Sequence, residues 1–260
     1  MMNASWLALS LLLSAQVEPA GAAPSAAPAE KTSADLVKEA FRLVEVEANT
    51  AQNLKQAVEL YDRALADPAL PKDARVRALI DQSRAWLRLG DLHTKSNDKV
   101  AAYEKGQAAG DKARALAPKS AEAAFWATAN LASVGQARGV MNSLFMVGDV
   151  KKGLEEALRL DPNHAYARET LAKVYHVLPG LVGGDDDKAE ALFLENLKRH
   201  PHFTPTMVEL GRFYRDKGRT EEARAMFQRV LAEKSPELPT DWRKFNAPDA
   251  RRELAKLEGK

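Results

Sequence analysis

Apolar residues recur along this chain with the spacing of helices, and the helical segments come in pairs that end at prolines. The periodicity predicts helices over residues 34–46, 54–65, 74–90, 99–116, 121–134 and 150–160, with two more pairs within residues 165–201 and 204–236. The pairs end at Pro118, Pro162, Pro201 and Pro236, so the intervals are 44, 39 and 35 residues. No segment shows the alternating pattern of a strand bounded by hairpin turns. The chain is therefore predicted to be all-α.

The last pair indicates what kind of helix pair this is. Its apolar and small residues follow the order and spacing of a tetratricopeptide repeat, a helical hairpin of about 34 residues. They are Leu210, Gly211, Tyr214, Gly218, Ala223, Phe227 and Leu231. Gly211 and Ala223 are predicted to face each other where the two helices approach closely. One hairpin cannot bury its apolar face alone, so others must stack on it. We predict a tetratricopeptide-like α-solenoid of about five hairpins, with a capping helix over residues 247–257.

Two pairs are longer than the repeat, and the extra residues are predicted to lie in the loop between their helices. The fourth pair has 14 residues between Tyr175 and Ala189, where the last pair has nine between the equivalent positions. The extra five fall in residues 178–187, where Asp187 or a neighbouring aspartate can cap the second helix. In the third pair, residues 135–149 are predicted to form the loop.

Composition and charge narrow the function classes. The chain has 260 residues, of which 45% are hydrophobic and 28% charged, as in an ordinary soluble globular protein. Lys and Arg number 38 and Asp and Glu number 36, so the net charge of +2 argues against a nucleic-acid partner. There is no cysteine, which excludes disulfides, thiol catalysis and thiolate metal sites.

The first residues have the features of an export signal. Residues 6–15 form an apolar run too short to span a bilayer comfortably, and residues 20–22 (AGA) form a small-residue cleavage site. We predict a signal peptide over residues 1–22, a disordered Ala/Pro linker over residues 23–32 and a helical-repeat domain over residues 33–260. The mature protein is then periplasmic. No Lys or Arg precedes the apolar run, so a disordered alanine-rich tail and a signal kept as an anchor both stay open.

Catalytic and metal-binding patterns are scarce. The histidines form no HExxH arrangement, and His200 and His202 flank a helix-ending proline, where histidine commonly compensates the helix dipole. Residues 183–188 (GGDDDK) lack the spacing of a phosphate loop and the glycine and glutamate of an EF-hand. A turn with a helix cap explains them. We predict no catalytic residue, no metal and no cofactor, and an enzyme with an unrecognised site stays open.

Three stretches match a known family in its irregular loops as well as its helices. They are FWATANLASVGQARG (125–139), SLFMVGDVKKGLEEALRLDP (143–162) and LPGLVGGDDDKAEALF (178–193). They resemble the T component associated with TRAP transporters, a family of periplasmic helical proteins found beside tripartite solute uptake systems. The resemblance covers about a third of the chain. Members of that family are commonly lipoproteins, and this chain has no cysteine to acylate.

The resemblance implies a binding role. The helical scaffold would meet a periplasmic solute-binding protein, and a small organic anion or hydrophobic ligand would pass through a cleft or pore. It also implies binding roles for the aromatic residues Trp126 and Phe145, and for Asn130 within the aromatic-rich helix. The alternative for the two aromatics is a core position, since aromatics at helical spacing more often belong to the core.

The repeat phase independently predicts a groove on the concave side. Position nine of successive first helices holds Arg84, Leu131, Lys173 and Arg212. Three aligned cations with an apolar residue between them would suit an organic anion or an acidic peptide tail. The alternative is that these are solvated side chains on a surface that must be polar anyway.

Two classes of non-catalytic function follow. The first is an accessory component of a TRAP-type solute uptake system, with homo-oligomers left open. The second is a generic tetratricopeptide adaptor that binds a protein segment and is unrelated to transport. The eukaryotic regulators of microtubule dynamics look similar over the same helices, which shows how little this fold fixes function.

Overall fold

Helix is the only regular secondary structure in the residues that the computed structural model describes, which are 31–47 and 49–258. The all-α prediction is confirmed. The predicted signal peptide, and residues 23–30 of the predicted linker, lie outside the described residues. The first helix begins at Ser33, the residue at which the predicted repeat domain starts. Within the described part, no helix combines the length and apolar character needed to cross a membrane.

The described residues form five consecutive helical hairpins, as predicted. The two helices of each hairpin pack on one another, and the second helix then packs on the first helix of the next hairpin. The hairpins are α1 (Ser33–Glu45) with α2 (Ala51–Ala66), α3 (Lys72–Leu92) with α4 (Ser96–Leu116), α5 (Ala121–Arg138) with α6 (Val140–Leu160), α7 (Ala165–Val177) with α8 (Asp186–Arg199), and α9 (Thr204–Asp216) with α10 (Thr220–Ala232).

The long connection in the fourth hairpin is as predicted. Residues 178–185 join α7 to α8, whereas residues 217–219 join α9 to α10. The insertion contains one 3-10 turn (Gly180–Val182) and ends at Asp185, whose carboxylate accepts the backbone N–H of Lys188 at 3.0 Å. This cap fixes where α8 begins, because it satisfies a donor that the first helical turn leaves free.

Residues 135–149, predicted to be a loop, are helical except at Gly139. Gly139 has a φ of +96°, a left-handed conformation that separates α5 from α6. The first turns of α6 pack closely on α5, where a Cβ added at Gly135 would meet Met146 Sδ at 3.3 Å. The loop prediction was wrong because the glycines of this stretch suggest a turn, whereas packing on α5 supports the helix.

Glycines let the helices approach closely. A Cβ built on Gly211 would lie 2.6 Å from Phe227 Cε1, on the helix that also carries Ala223. That Gly211 and Ala223 face each other stays a prediction. At Gly110 of α4 the neighbour is backbone, since a Cβ there would lie 2.7 Å from the Cα and N of Ala127 in α5. The α4 and α5 backbones therefore touch at this point with no room for a side chain.

The chain after α10 includes more than the predicted capping helix. The helix α12 (Ala247–Glu258) agrees with the helix predicted over residues 247–257, and it buries Ala250 and Leu257 in the same core cluster as residues of α10. A single turn, α11 (Pro239–Asp241), and a π-helical turn (Trp242–Asn246) precede it. We call residues 238–246 the groove segment, because they lie on the surface described next.

Candidate functional site

The first helices of the hairpins form a continuous series, in which α1, α3, α5, α7 and α9 contact one another in order. We call their shared surface, which carries Arg84, Arg88, Tyr166, Lys173 and Arg212, the inner face. Repeat arrays of this kind commonly bind their ligands on an extended concave surface. The inner face is therefore the first place to look for a binding site.

Arg84 and Trp126, two of the predicted binding residues, are in contact. Arg84 Cζ lies 5.6 Å from the centroid of the Trp126 ring, which is within range of a cation–π interaction. The Arg84 guanidinium also pairs with Asp81 at 3.1 Å and with Glu45 at 3.2 Å. Trp126 is buried, and its Nε1 donates to Glu122 at 2.7 Å. Both side chains line a cavity of about 820 Å³ between α3 and the start of α5.

Lys173 and Arg212 are joined through Glu209. Lys173 Nζ lies 3.4 Å from Glu209 Oε1, and Arg212 Nη1 lies 2.7 Å from the same oxygen. Arg212 also pairs with Asp249 of α12 at 2.7 Å. The Lys173 side chain is 43% exposed, against 29% for Arg212 and 20% for Arg84. Of the three predicted cations, Lys173 is therefore the most open to a partner.

The predicted basic groove is a mixed-charge surface in the structure. Each of the three position-nine cations lies within 3.4 Å of a carboxylate oxygen. Two of these acids, Glu45 of α1 and Asp249 of α12, come from helices far away in the sequence, so spacing within one helix could not reveal them. The carboxylates offset the field that an uncompensated row of cations would project. The roles of the three cations in ligand binding stay predictions.

Asn130 and Phe145, also predicted to bind, lie apart from this cluster. Asn130 is fully buried, and its Nδ2 donates to the backbone oxygens of Ser83 at 3.1 Å and Trp126 at 3.0 Å. Its side chain also fills the space beside Gly106 of α4, so it holds α3, α4 and α5 together. Phe145 is 80% exposed and lies on α6, outside the inner face. Their roles in binding stay predictions.

An apolar pocket of about 410 Å³ opens beside the part of α6 that was predicted to be a loop. Side chains of α5, α6 and α7 line it, together with Leu178 and Pro179. Val140, Met141 and Phe145 are largely exposed on the same part of α6. An apolar surface of this kind suits an apolar ligand or partner.

The groove segment binds the inner face through Asp241. Its Oδ1 accepts from Arg88 Nη2 of α3 at 2.8 Å, and its Oδ2 accepts from Tyr166 Oη of α7 at 2.6 Å. Arg88 Cζ also lies 5.4 Å from the centroid of the Phe245 ring. Only 13% of the Asp241 side chain and 9% of the Arg88 side chain are exposed. Bonds between ionised groups are among the strongest hydrogen bonds in proteins, and here they are largely shielded from water.

The groove segment also contacts the first and the last hairpin. Lys244 Nζ donates to the backbone oxygens of Val44 at 3.2 Å and Glu45 at 3.1 Å. These carbonyls belong to the last turn of α1, where oxygens lack partners within the helix and a cation suits the negative end of the helix dipole. Trp242 Nε1 donates to the backbone oxygen of Val230 in α10 at 2.8 Å. The segment therefore links the two ends of the repeat array.

Sequence reasoning missed Arg88, Tyr166, Asp241 and Lys244. Neither Arg88 nor Tyr166 occupies position nine, the repeat position that holds the three predicted cations, and the two groove-segment residues lie outside any periodic helix. The composition of the groove segment is the one sequence signal that could have pointed to it. Residues 238–246 (LPTDWRKFN) combine one acidic, two basic and two aromatic residues in a stretch too short and polar to be a core helix.

Comparison with known protein families establishes the relationship of this chain. The family model described as regulator of microtubule dynamics protein 1-3 matches residues 36–173, more than half of the chain. The chain belongs to this family. A tetratricopeptide repeat model matches residues 206–239, which cover α10 and all but the first two residues of α9, and confirms the repeat predicted there. No curated protein matches the chain.

Two solved structures are similar to this member of the regulator of microtubule dynamics family. TTC0263, a thermophilic TPR protein in Thermus thermophilus, is 20% identical with a TM-score of 0.63, over 87% of this chain and 98% of that chain. A tetratricopeptide repeat protein from Parabacteroides merdae ATCC 43184 is 16% identical with a TM-score of 0.40, over 87% of this chain and 92% of that chain. The first likeness confirms the tetratricopeptide-like solenoid, and at this identity it concerns the fold alone.

Glu169 on α7 is a buried acid beside the Lys173–Glu209–Arg212 cluster of this family member. Thr206 Oγ1 donates to its Oε2 at 3.3 Å. Burial raises the pKa of Glu169 to about 8, with Glu209 adding to the rise and Lys173 opposing it. The folded protein therefore binds a proton at Glu169 between about pH 4.5 and pH 8, where the unfolded chain has released it.

We expect Glu169→Gln to remove part of the pH dependence of stability. The raised pKa of Glu169 stabilises the fold fully below about pH 4.5, and this contribution is lost as the pH rises through about 8. Glutamine stays neutral and keeps an oxygen for Thr206. Denaturant unfolding at pH 5 and pH 9 measures the free energy of unfolding of both proteins. From pH 5 to pH 9, the free energy of unfolding of the variant relative to that of wild type should rise by at least about 1 kcal/mol, since one pKa unit corresponds to about 1.4 kcal/mol. Parallel stability curves would show that Glu169 is ionised in the fold throughout.

The histidines flanking Pro201 each form a hydrogen bond with a nearby glutamate. His200 Nδ1 lies 3.0 Å from a Glu237 oxygen, and His202 Nδ1 lies 3.1 Å from a Glu233 oxygen. Among the described residues, no group of three or more His, Asp or Glu side chains is arranged to hold a metal ion.

Proposed function

We propose that this chain is a non-catalytic scaffold that binds a protein partner on its inner face. The supporting observation is that the inner face already accommodates a stretch of polypeptide, the groove segment. Side chains of α3 and α7 and backbone groups of α1 all bind that stretch. The inner face combines fixed cations and carboxylates with the neighbouring aromatic rings of Trp126 and Tyr166, whose centroids lie 5.9 Å apart. Such a surface suits a short charged and aromatic peptide better than a small substrate.

A finer candidate is an accessory component of a TRAP-type solute uptake system that contacts the solute-binding protein or its ligand. Its support is the resemblance over residues 125–139, 143–162 and 178–193, together with the export features of residues 1–22. In this proposal the protein is exported to the periplasm, and N-terminal sequencing of the protein isolated from cells would reveal whether it begins near Ala23. The alternative is an adaptor unrelated to transport. The family description names microtubule dynamics rather than transport, and proteins of one fold commonly bind different partners.

Calorimetric titration against the solute-binding protein of a TRAP-type system from the same organism tests both the scaffold function and the transport role. We expect Lys173→Ala to weaken binding about tenfold, because a charge-assisted hydrogen bond contributes about 1.5–3 kcal/mol. Lys198→Ala is the matched control, since Lys198 is an exposed lysine on α8, a second helix. It should bind like wild type.

The outcomes distinguish the scaffold function of the inner face from the transport role. Equal affinities of wild type and Lys173→Ala for a bound partner would remove the inner face as the binding surface. Failure of the solute-binding protein to bind, with another protein bound in a Lys173-dependent way, would leave the adaptor and reject the transport role.

A further inference from the structure

The groove segment occupies the inner face in the manner of a bound peptide. It is nine residues long, and it contacts side chains or backbone of α1, α3, α7 and α10. Its centre is a π-helical turn, Trp242–Asn246, in which the Ala247 N–H donates to the oxygen of Trp242. Such turns are rare in proteins and occur frequently at functional sites.

Arg88, Tyr166 and the last carbonyls of α1 contact three features of this segment. Arg88 and Tyr166 together hold a carboxylate, at 2.8 Å and 2.6 Å from the two oxygens of Asp241. The last carbonyls of α1 accept from an ammonium group three residues later, at Lys244. The Arg88 guanidinium faces an aromatic ring four residues later, at Phe245. The recognised pattern is an acidic residue, followed three positions later by a basic residue and four positions later by an aromatic residue.

The contact does not have the character of a permanent core. Asp241, Trp242, Lys244 and Phe245 are all only partly buried, and of these four Trp242 packs against the core cluster of α9 and α10. A cavity of about 370 Å³ remains beside the segment, lined by Arg88, Trp126, Tyr166 and Phe245 among others. Core side chains in proteins are packed to a density that leaves few voids of such a size. The inner face therefore has room for an occupant larger than the one it holds.

The flanks of the segment allow it to leave while the rest of the chain stays folded. Residues 233–237, before it, are non-helical and mostly exposed. After it, α12 has its own attachment, since Ala250 and Leu257 lie in the core cluster of α9 and α10 and Glu253 pairs with Arg215. Release of residues 238–246 would thus create a loop between two docked helices.

We propose that the groove segment is an internal occupant of the partner site, and that the partner displaces it with a short helical peptide carrying the same acid, base and aromatic pattern. This inference rests on the proposed scaffold function and gives the partner a defined chemistry. The groove segment then acts as a competitor, so the affinity measured for a partner is reduced by the fraction of molecules in which the inner face is already filled.

A peptide spanning residues 236–250, labelled with a fluorophore, is the probe. Fluorescence anisotropy measures its binding to the full chain as wild type, as Asp241→Asn/Phe245→Ala, and as Arg243→Ala. Arg243 belongs to the same segment but makes none of the three contacts described above, so it serves as the matched control. We expect the double variant to bind the peptide at least tenfold more tightly than wild type, and Arg243→Ala to bind like wild type. A peptide that itself carries Asp241→Asn should bind the double-variant protein at least tenfold more weakly than the unmodified peptide does.

Circular dichroism first shows whether both proteins are folded. If they are, equal binding of the peptide to wild type and double variant, or binding to neither, would overturn the inference. If the double variant does not fold, Lys244→Ala takes its place, because that change removes only the contact with α1. Neither result bears on partner capture by Lys173, which is measured with a different ligand. The scaffold function and the internal occupant can therefore fail separately.

Discussion

Gly110→Leu is expected to lower the stability of the fold by about 3 kcal/mol, at the upper end of overpacking in well-packed cores. A Cβ at this position would lie 2.7 Å from the Cα and N of Ala127, and a backbone neighbour cannot rotate away as a side chain can. The helices α4 and α5 would have to separate, which opens the centre of the array. In a thermal melt this corresponds to a fall of the midpoint by about 2–4 °C for each kcal/mol.

Gly148→Leu is the matched control for this experiment. Gly148 is also within a helix, but a Cβ there meets no atom within 4 Å. Leucine forms helices better than glycine by somewhat less than about 1 kcal/mol, so this variant should be as stable as wild type or slightly more stable. If both variants melt together, the close approach of α4 and α5 is not as tight as described.

Arg88→Leu is expected to cost about 3 kcal/mol, because it removes the counter-charge of the largely shielded Asp241 carboxylate, and breaking a buried ion pair typically destabilises by about 3–5 kcal/mol. The Arg88 side chain donates to the backbone oxygen of Val44 at 3.0 Å, to Glu45 at 2.9 Å and to Asp241 at 2.8 Å. Denaturant unfolding monitored by circular dichroism measures the difference.

Arg159→Leu provides the comparison for Arg88. Arg159 pairs with Glu156 on the surface of α6, and its side chain is 68% exposed. Exposed pairs contribute little to stability, so the variant should remain close to wild type. A second comparison is Arg88→Leu/Asp241→Leu, which removes both charges and should regain part of the loss. A stable Arg88→Leu single variant would mean that the groove segment contributes little to the folded state.

Most of the fold could be predicted from local signals. Helical periodicity, the proline spacing and one well-formed repeat at residues 204–236 were enough to predict five hairpins, because each hairpin is a local unit. The insertion before α8 was also predicted, since a glycine-rich stretch followed by aspartates is a recognisable turn and cap. The first half of α6 was not, because the glycines of residues 135–149 suggest a turn, whereas the chain continues there as a helix beside Gly135 of α5.

Only the cations of the candidate site could be predicted from the sequence; their acidic partners and the groove segment could not. The repeat phase located Arg84, Lys173 and Arg212 on the inner face, because all three belong to one position of a periodic motif. Their partners include residues of other helices, and the groove segment that contacts the same face has no periodicity. Contacts between residues far apart in the sequence leave no local pattern, so a surface predicted to be basic is found to carry both charges.

The contact of Lys244 with Val44 joins residues 200 positions apart. In an open repeat array each hairpin contacts only its neighbours, and its ends can unfold independently of one another. Here the last turn of α1 is completed by a residue that follows α10, so fraying at one end is coupled to fraying at the other. Such a contact also forms late, because a long stretch of chain must be closed before it can be made. During synthesis, the first hairpin must therefore wait for residue 244 to emerge from the ribosome before its own carbonyls are fully bonded.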